Sequence, residues 1–461
     1  MNTPISTHHL FLKKSIILLL VAAGLSIVSI SYFKYKNAIN NNGQITPATG
    51  NDQVNITAKN KAAVTFEKNT ASQAPENKPG NNSNKYGIAA SAKPDSTEIY
   101  GDPTIVKRVL LKKGIYFGDY LGSEDVRVDP PRPKNFLTEV DKYFDLYSVP
   151  AWYNHVEKNG PGQFDFSEPD QVADFAVAHG AKIQIHNMVW YVSLPDWLKN
   201  GNFTPDQLKD ILKNHIQTTM RHFKDKYPGS IIAWDIVNEC MEDNATYGDE
   251  NGMRKNLPIW HVIHKPGSTD PTDYIQLAFE WAHEADPDAK LYWNEYGCEY
   301  KGFKMDNWFK VIKKLVDMGV PINGVGFQTH LQMTYDHPYS DLLANMNRFA
   351  DIGLTSEITE FDVLMATGSA YKPNLIASPT QSDYTKQARV YQGVIDAVLN
   401  AKKCDAFILF GEWDPGSFSN FAYKDNNGKP LGLGYPNILD KDMKQKLSFK
   451  SLVDEVKKIG Q

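Results

Sequence analysis

The C-terminal part of the chain predicts an α/β fold, a (β/α)8 barrel of the TIM type, on two observations. Short apolar or β-branched runs recur eight times, and segments with helical periodicity separate most of them. This alternation is typical of parallel strands joined by crossover helices, and eight repeats in about 350 residues fit a closed barrel with enlarged loops. The rival fold is an open doubly wound sheet, which would bind its ligand at a Gly-rich turn. No G-x-G-x-x-G motif follows any predicted strand.

The elements of the predicted barrel follow one another in a regular order. Strands are predicted at residues 114–120, 144–149, 182–190, 231–239, 290–296, 324–330, 356–363 and 406–413. Helices are predicted at residues 171–179, 205–227, 271–285, 307–318, 339–352 and 383–401. Active sites of such barrels lie where the strands end, at their C-terminal face. We therefore expect the functional side chains at the ends of these strands.

Three segments precede the predicted barrel domain, which covers residues 104–461. After a short head (1–14), residues 15–33 form an uncharged, mostly apolar run that is long enough for a helix to span a bilayer. We expect a transmembrane anchor that holds the barrel at the cell surface. A cleaved signal peptide, which would give a secreted protein, and a buried helix are the alternatives. Residues 34–103 are rich in small and polar residues and predict a disordered, flexible stalk.

Composition excludes some classes of partner. The 461 residues carry 49 Lys and Arg against 54 Asp and Glu, a formal net charge of −5. Proteins that bind nucleic acids need a basic surface, so we expect no nucleic-acid partner.

The three cysteines, Cys240, Cys298 and Cys404, cannot form a disulfide framework and include no C-x-x-C pair. Aromatic residues make up 12% of the chain, which suits either sugar-stacking surfaces or an ordinary core. We expect a monomer.

Polar and aromatic side chains gather at the ends of four predicted strands. Strands three, four, six and seven end with His186 and Trp190, Asn238 and Glu239, Gln328 and His330, and Glu360 and Asp362. A carboxylate at the end of an apolar strand is costly to bury without a partner or a function. Any one of them could simply cap its strand, but the set favours a single site. Paired carboxylates at a barrel rim suit glycoside hydrolysis, which needs a proton donor and a second carboxylate across the bond that is cleaved.

Eight short segments of the predicted barrel have a recognisable pattern and order. They are GQFDF (162–166), HNMVW (186–190), LPDW (194–197), WDIVNE (234–239), DPDAKLY (286–292), NEY (294–296), GVGFQTHL (324–331) and ITEFD (358–362). On these segments the sequence resembles glycoside hydrolase family 10, the endo-β-1,4-xylanase family, over nearly the whole predicted barrel. WDIVNE and ITEFD are similar to the acid/base and nucleophile signatures of that family. Because all eight segments occur in the family order, the resemblance is specific for the barrel fold of that family.

The resemblance implies a retaining endo-β-1,4-glycanase that acts by double displacement on a β-linked polysaccharide, with xylan the first substrate to test. It makes Glu239 the general acid/base and Glu360 the nucleophile. His330 would lie against the nucleophile, and Asp362 would support His330. The residues implied to contact the reacting sugar are His186, Trp190, Asn238 and Gln328. We expect no cofactor and no metal, because His186 and His330 have no third ligand at a metal-binding spacing.

The chain departs from the family pattern where that pattern holds the glycone sugars. The family usually carries Glu-Asn-x-x-Lys-Trp after strand two, and this chain has VPAWYN at residues 149–154. Phe410 and Phe418 replace the two tryptophans of the strand-eight motif, and Tyr191 replaces the second histidine of the strand-three motif. The residues Trp152, Tyr153 and Trp413 could form a different aromatic surface or could belong to the core.

Three functions stay open at this point. The first is a membrane-anchored xylanase. The second is an enzyme with the same mechanism and another β-glycan as substrate, because hydrogen bonds to substrate hydroxyls discriminate strongly between glycans. The third is a non-catalytic surface barrel that binds glycans. Such a barrel would be expected to lose one of the two glutamates first, and this chain keeps both Glu239 and Glu360.

Overall fold

The computed structural model describes residues 100–122, 133, 135–243, 251–255, 259–334, 339–369, 372–425, 428–429 and 431–459. The predicted head, the predicted anchor at 15–33 and residues 34–99 of the predicted stalk lie outside the described residues, and these assignments stay predictions. Within the described ranges, no helix combines the length and the apolar character that a membrane span requires.

Parallel strands close into a barrel, which confirms the predicted fold class. Within the described residues, eight strands form the ring: β1 (Tyr116–Tyr120), β2 (Leu146–Pro150), β3 (Lys182–Val189), β4 (Ile231–Asn238), β5 (Leu291–Glu295), β6 (Gly324–Phe327), β8 (Thr355–Leu364) and β11 (Cys404–Leu409). Strand β11 pairs in parallel with both β1 and β8, so the sheet has no open edge there. Each predicted strand is present, with bounds shifted by a few residues.

Three further strands lie next to the carboxyl end of β8. The short strand β7 (His330–Gln332) continues the chain from β6 and pairs in parallel with the last residues of β8. Strands β9 (Ala366–Ser369) and β10 (Lys372–Leu375) form an antiparallel pair immediately after β8. These strands therefore belong to the face of the barrel at which the sequence predicts the functional residues.

Helices connect the strands in the order that the sequence predicts. The described helices are α1 (Ile105–Leu111), α2 (Phe136–Val140), α3 (Tyr153–Val156), α4 (Ser167–Ala178), α5 (Asp196–Asn200), α6 (Pro205–Lys226), α7 (Asp273–Ala285), α8 (Phe303–Asp317), α9 (Tyr339–Asp351), α10 (Gln381–Asn400), α11 (Ser419–Ala422) and α12 (Leu447–Lys457). Helices α4 and α6 to α10 coincide with the six predicted helices. The pattern did not predict α1, α12 or the four helices of only four or five residues.

Local sequence signals explain where the two longest helices begin. Thr204 and Gln207 form a capping box at the start of α6, and Pro205 occupies the first helical position. Thr380 and Asp383 form the corresponding capping box of α10. Both boxes satisfy backbone N–H groups that have no partner inside the helix. The two crossover helices therefore start at defined residues and pack against the barrel from there.

The strands are buried on both faces, because helices cover the barrel and side chains fill its interior. Every residue of β2, β5 and β6 is buried. The described chain begins against the C-terminal part of the domain. Gln445 accepts a hydrogen bond from the Gly101 backbone N–H at 3.2 Å and donates one to the Gly101 carbonyl at 2.9 Å. Residues 100–103, the end of the predicted stalk, thus contact the barrel domain.

Candidate active site

Glu239 immediately follows β4 and is held by the neighbouring strand. Its backbone N–H donates to the Asn294 carbonyl at 3.1 Å, and its φ of 57° is left-handed. The side chain is nearly buried, and its Oε1 accepts a hydrogen bond from Gln328 Nε2 at 3.0 Å. The carboxyl group of Glu239 therefore has a neutral amide as its hydrogen-bond donor.

Glu360 lies within β8 and has a different set of partners. Asn294 Nδ2 donates to its Oε1 at 2.8 Å, and His330 Nε2 lies 3.2 Å from its Oε2. The Nε2 atom of His186 lies 3.8 Å from Oε1. The Glu360 side chain is buried, so these three groups dominate the electrostatics of its carboxylate.

His330 is fixed by the pairing of β7 with β8. The register places it opposite Asp362, and its Nδ1 lies 3.0 Å from Asp362 Oδ1. The preceding residue, Thr329, has a φ of 62°, and its backbone N–H donates to Glu299 Oε1 at 2.8 Å. The chain thus turns sharply between β6 and β7, and the imidazole bridges Asp362 and Glu360.

These contacts shift the pKa values of the pair in opposite directions. Burial would raise the pKa of Glu360, but the hydrogen bond from His330, the charges of His186 and His330 and the hydrogen bond from Asn294 hold it below its usual value. Partial burial would lower the pKa of His330, but the charge and hydrogen bond of Asp362 and the contact with Glu360 raise it well above the usual value. The pair is therefore a carboxylate with an imidazolium donor.

His186, in β3, has a carboxylate partner of its own. Its Nδ1 lies 2.8 Å from Asp235 Oδ2, and both side chains are buried. Burial opposes protonation, but the hydrogen bond to Asp235 and the charges of Glu360 and Asp235 raise the pKa of His186. Gln184 Nε2 donates to Asp235 and, at 3.0 Å, to Glu357. The interior of the barrel thus supports the orientation of His186.

A chain of amides connects the two glutamates. Asn294 Nδ2 donates to Asn238 Oδ1 at 3.0 Å as well as to Glu360, and Gln328 Nε2 lies 3.4 Å from Asn238 Oδ1 and 3.0 Å from Glu239. The glutamates and these three amides are all buried. Because each amide contacts the next, the positions of the two carboxyl groups are coupled through β4, β5, β6 and β8.

Aromatic rings form a row that ends at His330, the residue beside the nucleophile candidate. Trp190 and Trp152 have ring centroids 5.8 Å apart, and Trp152 stacks with Tyr120 at 6.4 Å. Tyr120 lies 4.8 Å from Phe410, which meets His330 edge-to-face at 5.0 Å. Burial and the nearby charge of Glu360 raise the pKa of Tyr120. All four aromatic rings are half-buried, and we call Trp190, Trp152, Tyr120 and Phe410 the aromatic row.

Two residues considered for an aromatic surface belong to the core instead. Tyr153 is fully buried and stacks on His215 with centroids 3.5 Å apart. Trp413 is buried and packs against Phe136 with centroids 5.6 Å apart. Trp152 alone among the three candidates lies in the aromatic row. Phe418, the second of the two phenylalanines that replace tryptophans, packs edge-to-face on Phe410 at 5.7 Å.

The structure brings the predicted site residues together at the carboxyl ends of the strands. The contacts above link Glu239, Glu360, His330, Asp362, His186, Asn238 and Gln328, and Trp190 begins the aromatic row. Sequence reasoning gave no role to Asn294, Asp235 or Tyr120. The first two lie inside motifs that carried the resemblance, whereas Tyr120 had no signal beyond its place at the end of β1.

The family model of glycosyl hydrolase family 10 matches residues 112–455, which include every site residue described above. The chain belongs to glycosyl hydrolase family 10. An endo-1,4-beta-xylanase A of Phanerodontia chrysosporium is 35% identical over 263 residues, 56% of this chain and 57% of that protein. An endo-1,4-beta-xylanase B of Thermotoga neapolitana is 30% identical over 362 residues, 75% of this chain and 95% of that protein.

A solved family 10 structure from Paenibacillus barcinonensis has 28% sequence identity and a TM-score of 0.65, over 77% of this chain and 97% of that one. The lengths of the curated relatives differ widely. The present chain spans from 23% to 59% of the length of four of them. These four alignments cover 56% to 65% of this chain, and a large part of each of the four relatives lies outside them.

Proposed function

We propose that this family 10 chain is a retaining endo-β-1,4-glycanase that hydrolyses xylan by double displacement. The contrast between the two buried glutamates carries the proposal. Glu360 has two histidines and an amide around its carboxylate, and its pKa is lowered, as a nucleophile requires. Glu239 has the amide of Gln328 as its donor. Relatives named as endo-1,4-beta-xylanases support xylan as the substrate.

In the first step, Glu360 attacks the anomeric carbon and Glu239 protonates the glycosidic oxygen that leaves. A glycosyl ester forms on Glu360 while the bond to the leaving sugar breaks. In the second step, Glu239 takes a proton from water, which attacks the anomeric carbon and releases Glu360 as a carboxylate. Two inversions at the same carbon give net retention, and Glu239 changes from acid to base between the steps.

The neighbours of Glu360 suit the charge changes of this reaction. Its negative charge is lost when the ester forms and returns when the ester breaks. His330, held by Asp362 on its other nitrogen, favours the charged state before attack and after hydrolysis. His186 adds a second positive group near Oε1. The oxygen of Asn238 is occupied by Asn294 and Gln328, which leaves its Nδ2 to donate to the sugar 2-hydroxyl.

The mechanism is tested with aryl xylobiosides and with the stereochemistry of hydrolysis. We expect proton NMR to show the retained anomer as the first product. Glu360→Ala should abolish cleavage of every substrate. Glu239→Ala should retain most of its kcat/KM for dinitrophenyl glycosides, whose leaving group needs no protonation, and should lose cleavage of xylan. Turnover of xylan by Glu360→Ala at the wild-type rate would exclude the nucleophile role.

The altered glycone region favours a second candidate, the same mechanism acting on another β-glycan. Trp152 of the aromatic row lies in the segment 149–154, where the family pattern has charged and amide side chains, and stacking on aromatic rings selects among sugars less strictly than hydrogen bonds do. A panel of purified β-glycans, incubated with the full chain and with Glu360→Ala as the blank, separates the candidates. Oligosaccharides from xylan support the first proposal, and products from another glycan alone support the second. Binding without products from any glycan would indicate a non-catalytic barrel.

We also propose that the barrel acts outside the cytoplasm, held at the membrane by residues 15–33 or secreted after cleavage of that segment. The apolar run and the polar stalk that follows it support this arrangement. Cell fractionation with an antibody against the barrel tests it. The anchored form stays with washed membranes until detergent is added, and the cleaved form appears in the medium with a shorter chain.

A further inference from the structure

The segment 251–255 folds back onto the residues that follow Glu239. Met253 forms an antiparallel bridge with Met241, and the Arg254 backbone N–H donates to the Cys240 carbonyl at 3.0 Å. The Glu242 backbone N–H donates to the Gly252 carbonyl at 2.8 Å. These hydrogen bonds join the segment to the chain at the end of β4, next to the acid/base candidate.

Arg254 reaches from this segment to Glu239 itself. Its Nε donates to the backbone carbonyl of Glu239 at 3.0 Å. A left-handed conformation is unfavourable for a residue with a side chain, so Glu239 needs external contacts to stay in it. The Asn294 carbonyl holds the N–H of Glu239 and Arg254 holds its carbonyl, so both ends of the residue are fixed.

The guanidinium of Arg254 is itself immobilised. It lies 5.2 Å from the ring centroid of Tyr191 and 5.6 Å from that of Tyr296, and it donates a hydrogen bond to the Tyr296 hydroxyl. That hydroxyl donates to Asp243 Oδ2 at 2.7 Å. Planar stacking, a fixed charge and directed N–H groups are properties of arginine that lysine lacks. Tyr191 occupies a position at which the family motif has a histidine. The contact between Arg254 and Tyr191 is therefore not part of the family pattern.

A buried lysine adds a second cation beside the ring of Tyr296. Lys304 Nζ lies 3.2 Å from the ring centroid of Tyr296 and contacts Asp243 at 2.8 Å and Glu295 at 3.0 Å. Glu295 in turn accepts a hydrogen bond from the Met241 backbone N–H at 3.0 Å. Two cations and two carboxylates therefore surround Tyr296, and the contacts converge on the chain from Glu239 to Met241.

We propose that Arg254 is a positioning residue that holds the acid/base Glu239 in the conformation needed for proton transfer, with Tyr191 and Tyr296 fixing its guanidinium. The inference rests on the proposed role of Glu239. Arg254 bonds to the backbone of that residue, so its loss displaces the carboxyl group without removing it. Proton donation depends steeply on distance and direction, whereas attack by Glu360 uses other contacts.

The test compares two xylobiosides on the full chain, one with a phenyl and one with a dinitrophenyl leaving group. In Arg254→Lys, we expect kcat/KM for the phenyl glycoside to fall about 10- to 100-fold and that for the dinitrophenyl glycoside to fall less than about 3-fold. The ratio kcat/KM reports the steps up to the first irreversible one, so a slow second step does not obscure the comparison.

Arg348→Lys is the matched control. Arg348, in α9, contacts Asp306 of α8 at 2.8 Å and lies 4.4 Å from the ring centroid of Phe309. Like Arg254, it therefore has a carboxylate and an aromatic ring as neighbours, but it lies at the protein surface. We expect no change with either substrate. Glu239→Ala, measured in parallel, must show a larger fall for the phenyl than for the dinitrophenyl glycoside. If it does not, the proposed acid role fails, and the role of Arg254 fails with it.

If Glu239→Ala lowers kcat/KM more for the phenyl than for the dinitrophenyl glycoside but Arg254→Lys does not, the positioning role of Arg254 is wrong. The acid role of Glu239 then stands. If Arg254→Lys fails to fold, as judged by its thermal transition, Tyr191→Leu decides. This change replaces the aromatic ring at the half-buried position 191 by an aliphatic side chain and leaves the hydrogen bonds of Arg254 to the Glu239 carbonyl and the Tyr296 hydroxyl in place. It should lower kcat/KM for the phenyl glycoside by about 3-fold and spare the dinitrophenyl glycoside. Equal values for wild type and Tyr191→Leu with both substrates would contradict the proposal.

Discussion

The side-chain amide of Asn294 lies 2.8 Å from Oε1 of Glu360, and the same nitrogen lies 3.0 Å from the oxygen of Asn238. One residue of β5 therefore orients both the proposed nucleophile in β8 and a proposed sugar contact in β4. Its own oxygen accepts a hydrogen bond from Thr359 Oγ1 at 2.7 Å, which fixes the amide from the other side. Asn294 thus acts on the reaction through two neighbours.

We expect Asn294→Ala to lower kcat/KM for xylan by about 10-fold or more, because a hydrogen bond to a charged group contributes about 1.5–3 kcal/mol. The change also removes an interaction that lowers the pKa of Glu360. Without this interaction the pKa of Glu360 rises, and the carboxylate becomes protonated at a higher pH. The acidic limb of the kcat/KM profile should therefore move to higher pH. A profile with unchanged shape and position would contradict this role.

Gly326 offers a second way to disturb the same amide. A Cβ at Gly326 would lie 2.4 Å from Asn294 Oδ1 and 2.8 Å from Thr359 Cγ2, closer than atoms pack. We expect Gly326→Ala to displace Asn294 and to reproduce the loss of activity and the shift of the acidic limb. Gly302→Ala is the control, since a Cβ there has no described atom within 4 Å. Kinetics of both variants across pH measure the effect, and equal activity of the two would exclude this coupling.

Removal of the Asp362 charge should change the alkaline side of the activity profile. The pKa of His330 is raised, so the protonated imidazole is present below that value and is lost as pH rises through it. In Asp362→Asn the pKa of His330 falls, and the donor to Glu360 disappears at a lower pH. We expect the alkaline limb of kcat/KM, and the alkaline loss of stability, to begin earlier. Asp317→Asn, at an exposed carboxylate on α8, should leave both limbs in place.

The barrel could be predicted because strands and helices alternate with clear boundaries. The runs of β3 and β4 are buried along nearly their whole length, and apolar residues make up half or more of each, as expected of strands covered on both faces. The long helices carry amphipathic periodicity, and capping boxes mark the starts of α6 and α10. Helices of four or five residues, such as α3 and α11, are too short to show a period. The pairing of β7 with β8 depends on a turn at Thr329 whose left-handed conformation has no glycine to signal it.

The site was predictable where chemistry requires a particular side chain at a strand end. Glu239, Glu360 and His330 met that condition, and the structure places them in one hydrogen-bonded group. Arg254 did not, because it lies on a loop and contacts a backbone carbonyl, a relationship that only the folded chain creates. Composition also could not separate Trp152 from Tyr153. Although the two residues are adjacent in sequence, Trp152 belongs to the aromatic row, whereas Tyr153 stacks on His215 in the core.

Trp152→Ala should weaken binding of polymer without changing the chemistry. The residue lies between Trp190 and Tyr120 in the aromatic row, and an aromatic contact contributes about 0.5–1.5 kcal/mol. We expect KM for xylan to rise about 3- to 10-fold with kcat within about 2-fold of wild type. Tyr116→Ala, at the opposite end of β1, is the control and should leave KM unchanged. A rise in KM in both variants, or in neither, would remove the aromatic row from the substrate site.

The buried ion pair of Lys446 and Asp414 gives a prediction about stability. Both side chains are at most 4% exposed, and Lys446 also donates to the Tyr435 carbonyl at 2.8 Å. In Lys446→Met, the buried Asp414 loses its counter-charge, and breaking a buried ion pair in this way destabilises a protein by about 3–5 kcal/mol.

This loss of stability should depend on pH. Burial raises the pKa of Asp414, and the charge of Lys446 acts against that rise. Without the lysine the carboxyl takes up a proton more readily, so the loss of stability in Lys446→Met should be smaller at acid pH. Lys441→Met removes an exposed partner of Asp442 and should leave the free energy of unfolding nearly unchanged, because solvent screens this surface pair. Denaturant unfolding of both variants at two pH values measures this, and a deficit in Lys446→Met that is small or independent of pH would show that Asp414 is neutral in the native protein.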